Sequence, residues 1–197
     1  MLRSFLTILI LGIFMTLNAA DMEQRITDML VKNSEKVTEI LKDKSMTKEQ
    51  QDSRIIEIVD PLFDFDLMGK LCLGKEIYTS LSNDQKQRFH KVFNKMIKES
   101  YVNKLHLYTD EKLEFEKAKR VKETRMTVMS YLITKTERKP VVYKFYESDA
   151  KVWLIYDVNI FGVSVVQTYR NQFSAALQKE DFDTFLQTLG KNDSNAS

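Results

Sequence analysis

Few side chains in this sequence could do chemistry, and their spacing assigns most of them to structure. Ser164 sits in Gly162-Val163-Ser164-Val165-Val166. That run lacks the second glycine that lets a nucleophilic serine ride a tight strand-to-helix turn, so Ser164 reads as a helix cap. His90 and His106 are sixteen residues apart. Neither has an i, i+4 partner with which to grip zinc, and both read as surface residues. Cys72 is the single cysteine, which makes an internal disulfide impossible. No flanking charge pattern lowers its pKa, so it reads as a small packing residue rather than a thiol nucleophile. Asp64-Phe65-Asp66 places carboxylates two apart, but Asp just before a helix caps it, and a calcium loop needs more oxygens nearby. Asp157 is the remaining candidate for general acid or base work. Its surroundings decide the matter. Buried, isolated and facing a small pocket, it would move protons; bonded to backbone and turned away from a cavity, it would be structural. No catalytic set and no metal site is expected.

The elements that must position these residues follow from composition and period. The chain has 197 residues, a net charge of +2, 43% hydrophobic and 29% charged residues, five Gly and two Pro. Such a length buries roughly 70% of its unfolded surface in one domain without disulfides or metals. Interleaved charge of near-zero sum excludes a nucleic-acid partner, whose phosphates need a basic stripe. Few Gly and Pro imply short turns between long elements. At the start, Arg3 precedes thirteen residues without a charge, 5–17, and then Asn18-Ala19-Ala20. At about 1.5 Å per residue that stretch is too short to cross a hydrocarbon core of about 30 Å. It has the form of a secretory signal peptide over 1–20, cut after Ala19 or Ala20, with no cysteine beyond it to carry a lipid anchor.

From 21 onward apolar residues recur at three and four steps: Met22, Ile26, Met29, Leu30, Val37, Ile40 and Leu41. Capping-box spacings at Thr47-Lys48-Glu49-Gln50 and Ser82-Asn83-Asp84-Gln85 open two further helices, the first stopping at Pro61 and the second covering about 83–106. A short helix is expected over 67–73. After Asp110 the period becomes extended, with strands over 112–117, 123–134, 141–147 and 151–160 joined by hairpin-sized turns. Val141, Tyr143 and Phe145 share one face of the third strand while Val142, Lys144 and Tyr146 share the other. A sheet that is partly apolar on both faces must be covered twice or must line a cavity. Ser164 then caps a helix with Val166, Tyr169, Phe173, Ala176 and Leu177 on one side, a last helix covers about 182–189, and 191–197 form a polar, disordered tail. The fold class is α+β: a curved antiparallel sheet of about four strands packed with N- and C-terminal helices in one domain, 21–190.

Lys151-Val152-Trp153-Leu154-Ile155-Tyr156-Asp157-Val158, then Phe161-Gly162-Val163-Ser164, then Tyr169-Arg170-Asn171-Gln172-Phe173 stand in order. Together with Asp64-Phe65-Asp66, Leu73-Gly74-Lys75 and the helix from 82 to 101, they resemble the toluene-tolerance, or MlaC, family of periplasmic phospholipid carriers over about residues 50–190. The resemblance implies a monomeric periplasmic carrier. It would move phospholipid between outer and inner membranes and so maintain outer-membrane lipid asymmetry. Its partners would be an outer-membrane lipoprotein–porin complex and an inner-membrane ABC transporter with a periplasmic lipid-binding ring. Bound phospholipid is the ligand, and no cofactor is implied. Two acyl chains carry on the order of 30 methylenes at about 0.8 kcal/mol each, so bare water would cost roughly 24 kcal/mol and only an apolar cavity removes that cost. The residues expected to line it are Val141, Tyr143 and Phe145 on the third strand, Phe93, Ile97 and Tyr101 on the long helix, and Val163, which the family motif puts at the mouth. Two other classes stay open: a small-molecule enzyme on a cone-shaped α+β fold, using Asp157, and a lipoprotein chaperone.

Overall fold

The computed structural model describes residues 2–106 and 111–191, with side chains from Ala20 onward. The expected signal segment falls almost wholly on residues whose side chains lie outside that description, and the expected tail from 192 lies outside it altogether. Helix α1 (Leu2–Lys42) is followed by α2 (Lys48–Val59), a single 3-10 turn (Asp60–Leu62), α3 (Phe65–Leu73), α4 (Lys75–Ser80) and α5 (Asn83–Leu105). Strands β1 (Lys112–Phe115), β2 (Lys119–Lys122), β3 (Arg125–Ile133), β4 (Arg138–Glu147), β5 (Trp153–Ile160) and β6 (Val163–Ser164) come next, then α6 (Val165–Leu177) and α7 (Phe182–Lys191). Among the described residues no helix is long and apolar enough to cross a membrane.

Both capping boxes form. The hydroxyls of Thr47 and Ser82 accept from the N–H groups of Gln50 and Gln85, whose side chains answer the cap backbone. The orphan carbonyls at the end of α1 are also met, because Gln51 donates to Ile40 O at 2.8 Å and to Asp43 O at 3.1 Å.

The sheet is antiparallel, ordered β1-β3-β4-β5-β6, with β2 also paired to β3. It has six strands where about four were expected. The two extra strands are short and were hidden for physical reasons: β2 is exposed at every residue, so its sequence carries no apolar alternation, and β6 is two residues of what reads as a turn. Helix α4 was likewise unforeseen, being six residues packed beside Gly74. The chain between α2 and α3 docks on the free edge of β5, with the Asp64 N–H donating to Ile155 O at 2.9 Å.

Three apolar clusters hold these layers together. In one, Ile26 and Leu30 of α1 pack on Met126, Val128, Val141, Phe145 and Ile155 of the sheet. Thr27 ties that helix down, accepting from the Ala118 N–H at 2.8 Å while donating to Glu23 O. The second gathers α3, α5, α6 and α7 around a run of rings: Phe89 to Phe93 at 5.5 Å, Phe93 to Phe173 at 6.2 Å and Phe173 to Phe185 at 5.1 Å. The third joins Val37, Ile55 and Val102 of α1, α2 and α5. Phe63 and Val165 touch both of the first two clusters, so helical layer and sheet share a continuous apolar interior.

Two glycines are dictated by this packing. Gly74 has φ +81°, and a β-carbon there would stand 3.3 Å from the Arg170 guanidinium. Gly69 lets α3 approach α5, since a β-carbon would lie 2.9 Å from Phe89 and 3.0 Å from Phe93. Gly69→Ala should therefore cost about 1–3 kcal/mol by overpacking. Urea unfolding checks this; an unchanged midpoint would mean that the Phe89–Phe93 stack yields freely.

Candidate functional site

Asp157 is 4% exposed on β5, and every one of its contacts is spent. Its Oδ2 accepts from Lys144 Nζ at 2.8 Å and from Ser164 Oγ at 2.8 Å, and its Oδ1 accepts from the Val166 N–H at 3.1 Å. Ser164 in turn accepts from the Gln167 N–H at 3.1 Å and so caps α6, as its sequence context indicates. A carboxylate held by a lysine, a hydroxyl and the first turn of a helix is a fastener that joins two strands to α6. It is bonded to backbone and to two side chains, so it is not the isolated carboxyl that proton transfer calls for.

The other reactive groups are similarly committed. Asp64 accepts from the Leu67 N–H at 2.7 Å and from the Tyr146 hydroxyl, which caps α3 and joins it to β4. Burial pushes the Cys72 thiol up to about 12, so it carries no thiolate at neutral pH. The two histidines correct the sequence reading, for both are mostly buried and neither is a free surface group. His90 Nε2 bonds the Tyr78 hydroxyl at 3.0 Å, and His106 Nε2 lies 2.5 Å from Asp52, joining α5 to α4 and α2. Sequence spacing could not show partners that come from other helices. Among the described residues no group of three or more His, Cys, Asp or Glu could hold a metal ion.

The residues expected to line a cavity are distributed over three places. Val141, Tyr143 and Phe145 are buried on the inner face of β4 in the sheet cluster. Phe93 and Ile97 are buried in the helical cluster. Tyr101 lies between the two sets: its ring is 6.2 Å from Phe63, which packs against both clusters. Burial raises the pKa of the Tyr101 and Tyr143 phenols. Val163 stands apart, 61% exposed on β6.

An open groove of about 660 Å³ lies between α5, α6 and α7. Met96, Tyr169, Phe173, Ala176, Phe185 and Leu189 form its apolar wall, and Glu99, Asn103, Lys104 and Glu180 stand among its polar lining residues. That volume is in the range of ligand pockets. None of the seven residues expected from sequence lines it; Met96 follows Phe93 by about one turn and immediately precedes Ile97 on the same helix. The usable signal was the α6 stripe of Tyr169, Phe173 and Ala176, which sequence reading registered only as helix packing.

A family model described as MlaC protein matches residues 31–191. The chain belongs to the MlaC family. Its membership extends the sequence resemblance back into α1. Among curated MlaC-family relatives, the intermembrane phospholipid transport system binding protein MlaC of Haemophilus influenzae is 22% identical over 130 residues. That alignment covers 64% of this chain, and the chain spans only 60% of that relative's length. The toluene tolerance protein ttg2D of Pseudomonas putida is 26% identical over 154 residues, 74% of this chain and 71% of that one. A phospholipid-binding protein from Ralstonia solanacearum, solved in complex with a phospholipid, shares the fold: its TM-score is 0.73 over 86% of this chain and 97% of that one, at 19% identity.

The Asp157 fastener yields a direct expectation. Asp157→Ala leaves the Lys144 ammonium, the Ser164 hydroxyl and the Val166 N–H without their shared acceptor. Stability should fall by about 2–4 kcal/mol. Chemical denaturation measures it, and a loss below about 0.5 kcal/mol would show that water replaces the carboxylate.

Proposed function

We propose that this MlaC-family chain is a periplasmic phospholipid carrier that binds acyl chains in its apolar interior and shuttles lipid between outer and inner membranes, so maintaining outer-membrane lipid asymmetry. It is a binding protein rather than an enzyme. The observation that carries this reading is the groove between α5, α6 and α7, apolar along one wall and polar elsewhere. An acyl chain there meets Met96, Phe173 and Leu189 while a headgroup stays in water beside Glu99, Lys104 and Glu180. The family and the curated relatives' names support lipid as cargo. The bilayer and such a wall are similar solvents for hydrocarbon, so transfer is close to balance. Direction then comes from the partners. Those we propose are an outer-membrane lipoprotein–porin complex as one station and an inner-membrane ABC transporter with a periplasmic lipid-binding ring as the other, the carrier travelling as a monomer. Export follows from the segment 1–20, cut after Ala19 or Ala20.

A second placement of the chains is favoured by Phe63, which packs against both the helical and the sheet cluster with its ring 6.2 Å from Tyr101. There Val141, Tyr143, Phe145, Phe93, Ile97 and Tyr101 would be the wall and Val163 the rim. Charging one wall at a time separates the two, because a carboxylate beside an acyl chain is unsolvated. Purified protein should extract a labelled phospholipid from vesicles. Ala176→Glu should abolish extraction with the fold intact by circular dichroism, while Val163→Glu leaves it. Loss with Val163→Glu alone would move the cargo to the sheet side, and extraction by neither the wild type nor any variant would overturn the carrier reading.

A further inference from the structure

Four large hydrophobic side chains are exposed among the described residues: Val121, Val152, Phe161 and Val163. They divide between the two ends of the sheet. Phe161 and Val163 flank the β5–β6 turn. Val121 (58% exposed) is on β2, and Val152 (51%) immediately precedes β5 at the opposite end.

That second end is built rather than frayed. The Arg120 guanidinium lies 5.2 Å from the Trp153 ring, which fixes β2 against the start of β5. Arg125 stands over both Tyr146 and Tyr156 at 5.2 Å. The Glu147 N–H donates to Thr124 O at 3.1 Å, joining the two turns, and the Ser148 N–H donates to Val152 O at 2.8 Å. The patch is also basic. Between Glu116 and Arg125 the chain carries five basic residues, Lys117, Lys119, Arg120, Lys122 and Arg125, against two acidic ones, Glu116 and Glu123. The turn before β5 adds Lys151 beside Val152 together with Glu147 and Asp149, so this end as a whole carries six basic residues against four acidic ones. Glu116 lies 3.5 Å from Lys119 and Glu147 lies 3.4 Å from Lys151, both lysines standing well out in solvent; such exposed pairs hold little energy, so either ammonium can turn to a new anionic partner at small cost.

Lysines on an edge strand commonly serve only to repel strand addition. That role does not account for two valines held in water between them. We propose that the β2 and Val152 end of the sheet docks on an anionic lipid surface. Val121 and Val152 would enter the headgroup layer, and Lys119, Lys122 and Lys151 would meet lipid phosphates, the combination that holds peripheral proteins at membranes. Contact of this kind places the carrier at a bilayer without engaging its cargo wall, so it stands independently of which wall holds the acyl chains.

Flotation of the full exported chain with vesicles tests it. Vesicles of phosphatidylcholine with phosphatidylglycerol should carry at least about tenfold more protein than phosphatidylcholine alone, and high salt should release it. Lys119→Gln with Lys122→Gln should lower the partition coefficient roughly thirty-fold, from about 1 kcal/mol for each basic residue at an anionic surface. Val121→Asp should also reduce it, with unfolding midpoints and retained cargo unchanged in both variants. Equal partition onto neutral and anionic vesicles, no flotation, or undiminished binding of the variants would overturn the proposal. In those cases an acidic protein surface becomes the occupant to examine.

Discussion

The buried carboxylate of Asp157 is the constraint on which the arrangement of helical layer and sheet depends. It lies on β5, draws Lys144 across from β4, and receives both the cap hydroxyl and a backbone N–H at the start of α6. One side chain therefore sets where α6 leaves the sheet. From that origin α6 carries Tyr169, Phe173 and Ala176 to the groove and meets α5 and α7 there. A buried charge is costly unless fully paired, and here each oxygen is answered. The same pairing commits both oxygens of Asp157 to fastening α6 to the sheet, which agrees with the binding role proposed above.

The remaining polar groups follow a similar logic. Asp64, His90, His106 and Gln51 each join one helix to another element, Asp64 through the Tyr146 hydroxyl of β4. They hold short helices at defined angles around a core rich in phenylalanine. Aromatic and aliphatic side chains then supply the interior on both sides of α5. An apolar interior of this type binds by excluding water and not by directional contacts, so it suits cargo whose recognition rests on hydrocarbon.

Much of this architecture was legible in the residues. Capping boxes at Thr47 and Ser82 gave two helix starts, the period change after Asp110 gave the switch to sheet, and hairpin-sized turns gave its antiparallel sense. The Gly-Val-Ser step gave the α6 cap. Legibility failed where the signal is not local. β2 has no apolar alternation because it is exposed throughout, and the partners of His90 and His106 come from other helices. The cavity wall was the hardest part. Apolar stripes on α5 point both at the sheet and at α6 and α7, and period alone does not say which face meets a ligand and which meets core. Sequence reading favoured Phe93, Ile97 and Tyr101, whereas the open groove is lined by Met96 of the same helix.

The central claim, that the apolar interior of this MlaC-family chain holds phospholipid, is tested most directly by native mass spectrometry of the protein released from a Gram-negative periplasm without detergent. The account predicts a mass increment matching whole phospholipid, which fragments to diacyl species on collision. Protein that is uniformly of bare polypeptide mass, and that stays so after incubation with phospholipid vesicles, would contradict it.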